Sequence, residues 1–570
     1  MVDYTREQPK EVSLPPRLPL IGVIDERPGE LDRDSKLVNG YIERTDDGEL
    51  HVVKRPGMEL RYAFGANRYG AGMFENLFFF QQPVEGGTTF SLYNTETLIS
   101  STIGQTTAPF DPGRLVYATN IAWSPFGLGV AFHTRSQLNL YLVGGSAVTN
   151  IPFNGKVIGP ADFSTTSGSN LVVSELQEVV PIYSGIEGAG IPANTSVQLS
   201  LFLPGPLPLD QQLTLSQNAT ATASAASLTI AAAGPNARTS YTFSPSKQLV
   251  PGIVGLNAAL FVCNPLAEIS NSDRGALLAW NPLSSIQAYL SESQPLYIIR
   301  QLGYIFLFKS EIIEVFRDAG LSPGSPLNRQ EGMTIEVGIS NSNTLASIDG
   351  MIFWCSQTES GKRSVWMLQG GRAREIASPA VSRVVSRSNP DNGHAFSASG
   401  HTFYALTDPS APYTLVYDAT SNFWSYWTAL DEEYWPFVAA TRWAGETLLQ
   451  HRTNGNIYQL DPLVFADDHS EFTMDIYPPE FDSNIKTHKF LSKLYVVGDQ
   501  QDGSVLELRF NDNNREEDAW SDWYEARLDE ERPRIDDLGS FVKRAFHIRH
   551  TRPTPCRLRA IELDLMLGMS

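Results

Sequence analysis

An all-β fold with a β-propeller-like core is what this sequence predicts, and three observations predict it. Short runs rich in β-branched and aromatic residues recur along the chain, their starts lie about 8 to 12 residues apart, and tight-turn residues separate them. The 10 Trp, 21 Tyr and 29 Phe sit mostly inside those runs, which favours sheets over helical bundles. Such spacing suits a sandwich, a barrel or, over 570 residues, a propeller.

The block 301–377 shows the cadence best. Tyr304 to Phe308 and Glu311 to Phe316 form a hairpin; Asp349-Gly350 launches Met351 to Trp354; Ser364 to Leu368 runs into Gly370-Gly371 and then Ala373 to Ile376. Almost nothing there reads as helix. A propeller blade takes four antiparallel strands in roughly 40 to 50 residues, and the run Gly400 to Asp461 fits one. No crisp blade signature repeats, so the number of blades stays open.

In chain order, residues 1–36 are polar and punctuated by Pro9, Pro15, Pro16, Pro19 and Pro28, an extended arm without a core of its own. A first hairpin follows, Leu37 to Ile42 and Leu50 to Lys54 around Asp46-Asp47-Gly48, and residues 37–185 supply the first part of the propeller. Residues 186–245 shift to small residues, with an Ala/Thr/Ser tract from Asn218 to Ala233; alternation at Val197, Leu199 and Leu201 makes an inserted small β module a better reading than a linker. The propeller resumes over 246–470. Residues 471–570 carry longer alternating strands, such as Val505 to Phe510 and Arg557 to Leu565, and read as a C-terminal β-sandwich-like domain.

Composition removes several function classes. With 42% hydrophobic residues the chain fills several cores, but 43 basic against 63 acidic residues leave a net charge of −20, the opposite of what neutralises phosphates. Three widely spaced cysteines, Cys263, Cys355 and Cys556, form neither a disulfide framework nor a CxxC site and are expected as buried free thiols. The N-terminus has no signal-peptide pattern, and no apolar run is long enough to span a bilayer. Charge is also segregated near the end. Residues 501–540 hold 13 acids and 5 bases, whereas 541–560 hold six bases and no acid; antiparallel pairing within the domain is the first reading, contact across a subunit or partner boundary the second.

Catalytic patterns are missing. No G-x-S-x-G elbow occurs, and Ser360 to Ser364 has a Gly-Lys pair without the spacing of a P-loop. His547 and His550 share a face only in a helix, and their surroundings alternate like a strand. Asp431-Glu432-Glu433 beside Tyr434-Trp435 could serve a glycosidase, which needs two carboxylates on either side of a sugar; a solvated acidic loop is the plainer reading. No catalytic, cofactor or metal residues are assigned, and no cofactor is expected.

Several stretches carry a family likeness: Leu37-Val38-Asn39-Gly40-Tyr41 leading to Arg55-Pro56-Gly57, Tyr304 to Phe316, Gly338 to Trp354 with Ser364 to Ile376, Leu415 to Trp424, and Arg557 to Leu563. In these the chain resembles the tail hub, or packaged-DNA-stabilisation, proteins of short-tailed bacteriophages, and more distantly the tail nozzle proteins of other podophages. The resemblance implies a structural virion protein rather than an enzyme. It implies a homohexameric ring below the portal and its head-to-tail adaptor ring, with genomic DNA passing through without sequence-specific binding and tail fibres, spikes or a needle attached outside. Synthesis in the host cytoplasm and residence in the phage tail would follow. The alternative is a β-propeller tail enzyme or lectin that cleaves or binds glycans.

Overall fold

The computed structural model describes residues 16–20, 35–142 and 249–568, apart from 46–47, 66, 107, 125–126, 136–137, 322–323, 359–360 and 484–485; between 143 and 248 it describes strand residues alone. Most of the expected arm (1–36) and of the expected module (186–245) therefore lies outside the described residues.

Five sheets are free-standing four-stranded antiparallel meanders, spanning 69–106, 117–150, 254–287, 295–329 and 346–375. Two more meanders, the four-stranded 392–427 and the three-stranded 437–461, are built into larger sheets. Numbered in chain order, these are blades 1 to 7. Blade 7 has only three strands of its own, and Gly57–Tyr62 adds the fourth by pairing with Ile457–Asp461, so an early strand of the chain closes the ring. Tight turns fold the meanders: Asp349-Gly350, Gly370-Gly371, Ser399-Gly400 and Ala444-Gly445 all have positive φ at both positions, the conformation of the two-residue hairpin turn.

The core is a set of layers between successive blades, which explains why the strands read as continuous apolar runs rather than alternating ones. Ile305 and Leu307 pack with Phe261 of blade 3, while Phe306 and Phe308 pack with Trp354 of blade 5. Phe353 stacks on Tyr404 of blade 6 at 5.1 Å. Phe403 and Trp427 meet Phe437 and Tyr458 of blade 7. Phe78 and Phe80 of blade 1 pack with Leu448 and Ile457 of blade 7, and Phe79 turns the other way, onto Phe132 of blade 2. Between blades 2 and 3, the buried His133 ring lies 2.7 Å from the Gly252 carbonyl.

Three boundaries differ from the sequence expectation. The run Gly400 to Asp461 holds parts of two blades, not one, because the connection between blades (428–436) resembles in length and polarity a loop within a blade. Leu37 to Lys54, grouped with the propeller, pairs elsewhere: Gly40–Arg44 and Leu50–Lys54 form a hairpin that lies against Arg557–Leu567 of the sandwich, and Lys36–Val38 sits between blade 6 and Met474–Tyr477. The inserted strands begin before 186. Lys156–Ile158 pairs with Leu228–Ala231, and Leu171–Ser174 with Gln211–Leu215.

The C-terminal region is a two-sheet sandwich. One sheet runs through Leu50–Lys54, Arg557–Leu567 and Lys489–Gly498, with Arg17–Leu18 of the arm added along Arg557–Leu567. The other continues outward from blade 6 through Lys36–Val38, Met474–Tyr477, Ala545–His550, Val505–Asn511 and Tyr524–Arg527, a single nine-stranded sheet from the propeller axis to the sandwich edge. Leu494, Leu508, Phe546, Ile548, Ile561 and Leu563 fill the space between. One α-helix, Pro379–Arg387, follows blade 5. Ser378 caps it by accepting from the Val381 amide at 3.2 Å, Pro379 starts it, and Val381 and Val385 bury against the blade. The three cysteines are buried free thiols. Among the described residues, no helix is long and apolar enough to cross a membrane.

Candidate functional site

The first strands of the blades converge on an axial cavity of about 320 Å³, lined in turn by Gly72 to Phe74, Leu115 to Ala118, Gly252 and Ile253, Tyr297 to Ile299, Ser342 to Ser347 without Thr344, Gly393 to Ala395 and Val438 to Ala440. Residues of all seven blades line it, as a closed ring of blades requires. None of the lining residues is Asp, Glu, Lys or Arg. The Tyr117 hydroxyl donates to Asn343 at 3.2 Å, and Asn343 donates to the Gly113 carbonyl at 2.6 Å. Trp435 Nε1–H donates to His394 Nε2 at 3.1 Å, so His394 Nδ1 carries the proton and donates to Asn392 at 3.2 Å. Burial holds this imidazole neutral, with a pKa lowered to about 3. An uncharged axis of this kind joins the blades and offers no acid–base pair.

The acidic triplet lies away from the axis. Asp431, Glu432 and Glu433 are exposed on a turn in which Leu430 and Asp431 have φ of 55° and 60°. Asp431 and Glu432 line a pocket of about 260 Å³ with Asp467, Glu471 and Asp475. Three of these five acids are engaged: Asp467 binds Arg55, Asp475 lies 2.7 Å from His547 Nε2, and Asp431 accepts from Ser470 at 3.0 Å.

Other catalytic-looking groups are held in unreactive arrangements. Gly361-Lys362 forms the turn between the paired strands Met351–Gln357 and Arg363–Gln369, not a strand-to-helix loop. His547 and His550 lie on a strand, as their alternation implies, the first facing Asp475 and the second 2.7 Å from Ser504 Oγ. Ser504 and His550 are fully buried. His401 and Ser421 both contact Asp418, at 2.7 and 2.5 Å, so serine and histidine share an acid instead of forming a relay. Among the described residues no cluster of three or more His, Cys, Asp or Glu is arranged to hold a metal.

The junction of propeller and sandwich is built around Arg55. This fully buried guanidinium binds both oxygens of Asp467 at 2.9 and 2.5 Å, donates to Asn39 Oδ1 at 3.1 Å and to the Thr428 carbonyl at 2.8 Å, and stacks 3.6 Å from the Phe472 ring. Asn39 is itself left-handed, with φ 53°, and its amide donates to Thr428 and to the Thr473 carbonyl, both at 2.9 Å. Gly57 must be glycine, because a Cβ there would lie 2.2 Å from the Ala466 carbonyl oxygen. The Asn39-Gly40-Tyr41 and Arg55-Pro56-Gly57 motifs thus tie the first hairpin to the last two blades and to the start of the sandwich.

Two ion pairs join the acidic segment 501–540 to the basic segment 541–560 within the sandwich. Arg549 meets Glu507 at 2.7 Å across directly opposed strands, and Arg544 grips Asp512 with two 2.7 Å bonds. A second charged face escaped sequence reasoning: residues 361–390 contain six basic residues and the single acid Glu375, around the helix Pro379–Arg387.

Residues 281–465 match the family model described as "Bacteriophage P22 Gp10, beta-propeller". No curated protein sequence matches the chain. Among solved structures, the chain is similar to BamB from Moraxella catarrhalis (11% identity, 71% of this chain and 97% of that one, TM-score 0.34). It is likewise similar to the WD40 domain of Toxoplasma gondii coronin (9%, 77% and 87%, 0.33) and to the computationally designed Ika8 protein (11%, 71% and 100%, 0.31). The matched segment contains blades 4, 5 and 6 and the chain's own three strands of blade 7. Residues 281–465 are thus similar to the phage-stabilisation β-propeller, a tail protein of short-tailed bacteriophages.

Proposed function

We propose that this chain is a tail hub or nozzle subunit that assembles with copies of itself into a ring below the portal and adaptor of a short-tailed phage. There it conducts and retains the packaged DNA and anchors fibres, spikes or a needle. The family match over blades 4 to 7 carries the reading. Two physical features support it. The propeller axis has only about 320 Å³, room for a small group of ordered waters and not for a duplex, so DNA passes between copies rather than through a propeller. The net charge of −20 lets an acidic wall repel phosphates, so that DNA slides without adhering.

Titration of the purified chain with duplex DNA at physiological salt tests this. Binding no tighter than the weak non-specific range is expected. Sub-micromolar affinity would overturn the sliding-wall reading, and release of reducing sugar from host polysaccharide would replace it with a glycan-cleaving one.

A further inference from the structure

The helix Pro379–Arg387 buries Ala380, Val381, Ser382 and Val385, leaves Arg383 half-buried and turns Pro379, Ser386 and Arg387 outward on one helical face. This face, with Lys362, Glu375 and Ala377, lines a groove of about 480 Å³ on the flank of blade 5. Glu375 is its single acid, drawn toward Lys362 at 3.9 Å and toward the Ser364 and Ser382 hydroxyls. Lys362 and Arg387 are exposed, and Arg372 and Arg374 stand exposed on the adjoining strand. In a chain of net charge −20, this is a concentrated cationic surface.

Its counterpart is on the sandwich. Glu516, Glu517, Asp518 and Asp522 are exposed on the loop between Val505–Asn511 and Tyr524–Arg527. The loop is held firmly. Asn511 Oδ1 accepts from the Asn513 and Arg515 amides at 2.7 and 3.1 Å, Asn511 Nδ2 donates to the Glu516 carbonyl at 2.7 Å, and Ser521 bonds Phe510 in both directions at 2.9 and 3.0 Å. The Trp520 and Trp523 rings root it, lying 4.8 and 4.7 Å from the Arg509 guanidinium, with Arg549 3.7 Å from Trp523. A fixed acidic knob loses little freedom when it docks.

We infer that the acidic knob 511–523 of one copy seats in the basic groove of the next, with Glu516, Glu517, Asp518 and Asp522 meeting Lys362, Arg383 and Arg387. Groove and knob are different patches of one chain, so the contact is head-to-tail, the type that closes into a ring at a fixed rotation. The inference rests on the ring assembly proposed above and assigns its interface. Opposed charges of this number set register and speed of association, and salt weakens them.

The experiment compares the full chain with Arg383→Glu/Arg387→Glu, with Glu516→Lys/Glu517→Lys/Asp518→Lys, and with all five substitutions in one chain, by light scattering over a salt series. Each reversal alone is expected to weaken association about tenfold or more, and the combined chain to recover most of it because attraction is restored with signs exchanged. Lys362→Glu, on a hairpin turn outside the helix, repeats the groove test without touching helix packing. Wild-type-like assembly of the single reversals, or no recovery in the combination, overturns the interface while leaving the ring standing. A wild-type chain that stays at 62.9 kDa alone and with its adaptor overturns the ring reading, and the interface with it. Loss of duplex-DNA binding in Arg383→Glu/Arg387→Glu with assembly unchanged overturns the knob as occupant and makes the groove a phosphate-backbone surface.

Discussion

Arg55→Ala removes the centre of the propeller–sandwich junction, and its cost follows from the geometry. The guanidinium and the Asp467 carboxylate are 0% and 2% exposed and share two bonds, at 2.9 and 2.5 Å. Removing one member of such a pair strands the other charge in a dry site, which typically costs about 3–5 kcal/mol. In the variant Asp467 keeps the Leu430 amide at 3.3 Å and the field of nearby Lys54, while the Thr428 carbonyl loses its guanidinium donor. These losses overlap, so about 3–5 kcal/mol is the expected total rather than a floor. The assay is urea unfolding followed by tryptophan fluorescence, since Trp427 and Trp435 are buried beside the junction, with amide exchange at 426–430 as the local readout. Arg55→Lys keeps the charge but not the two-pronged bond and should fall between. Arg55→Met/Asp467→Leu, which removes both charges, should recover most of the loss. An Arg55→Ala chain destabilised by less than about 1 kcal/mol, with exchange at 426–430 unchanged, would refute the clamp.

Gly57→Ala should depress the thermal midpoint strongly by forcing Gly57–Tyr62 away from Ala466, whereas Gly303→Ala, whose Cβ meets nothing within 4 Å, should leave it nearly unchanged; equal midpoints would contradict the close approach. Burial raises the thiols of Cys355 to about 11 and Cys556 to about 12 and pushes Cys263 higher still, so a thiol reagent at neutral pH should label none of them in the native chain and all three in urea. Fast native labelling would show that one is exposed. Burial lowers His133 and His451 to about 4 and His394 and His550 to about 3, so the unfolded chain takes up their protons first. Their contribution is therefore complete above about pH 6.5 and is lost as pH falls toward 4, at up to about 1.4 kcal/mol per pH unit for each histidine. A urea midpoint that stays flat from pH 7.5 to 5 would contradict neutral burial of these rings.

The sequence showed local structure far better than partners. The hairpin of Tyr304 and Phe316 was readable because both strands are apolar and their connection is short, and observed pairing sets Tyr304 opposite Arg317 and Phe308 opposite Ile313. Pairing across hundreds of residues left no such trace. Val38 lies beside Tyr426 and Met58 beside Leu460, and nothing in the alternation of the early strands distinguishes a blade from a sandwich as their neighbour. Arg55 and Asp467 are 412 positions apart, so the clamp was visible only as a motif without a reason. The helix Pro379–Arg387 did have a local signal, Ser378-Pro379 ahead of a Val381/Val385 stripe, but nine residues among strands are easily passed over, and the basic groove was passed over with it. The opposed charges of 501–560 were legible because both segments alternate as strands, and Glu507 opposite Arg549 is the antiparallel pairing that this suggests.

Whether this chain forms a ring, as we propose, is decided by the mass of the purified protein in solution, with and without an adaptor ring. A closed hexamer, alone or on the adaptor, of about six times the 62.9 kDa chain is expected. A monomer under both conditions would contradict it and return the propeller to the glycan-binding or glycan-cleaving reading.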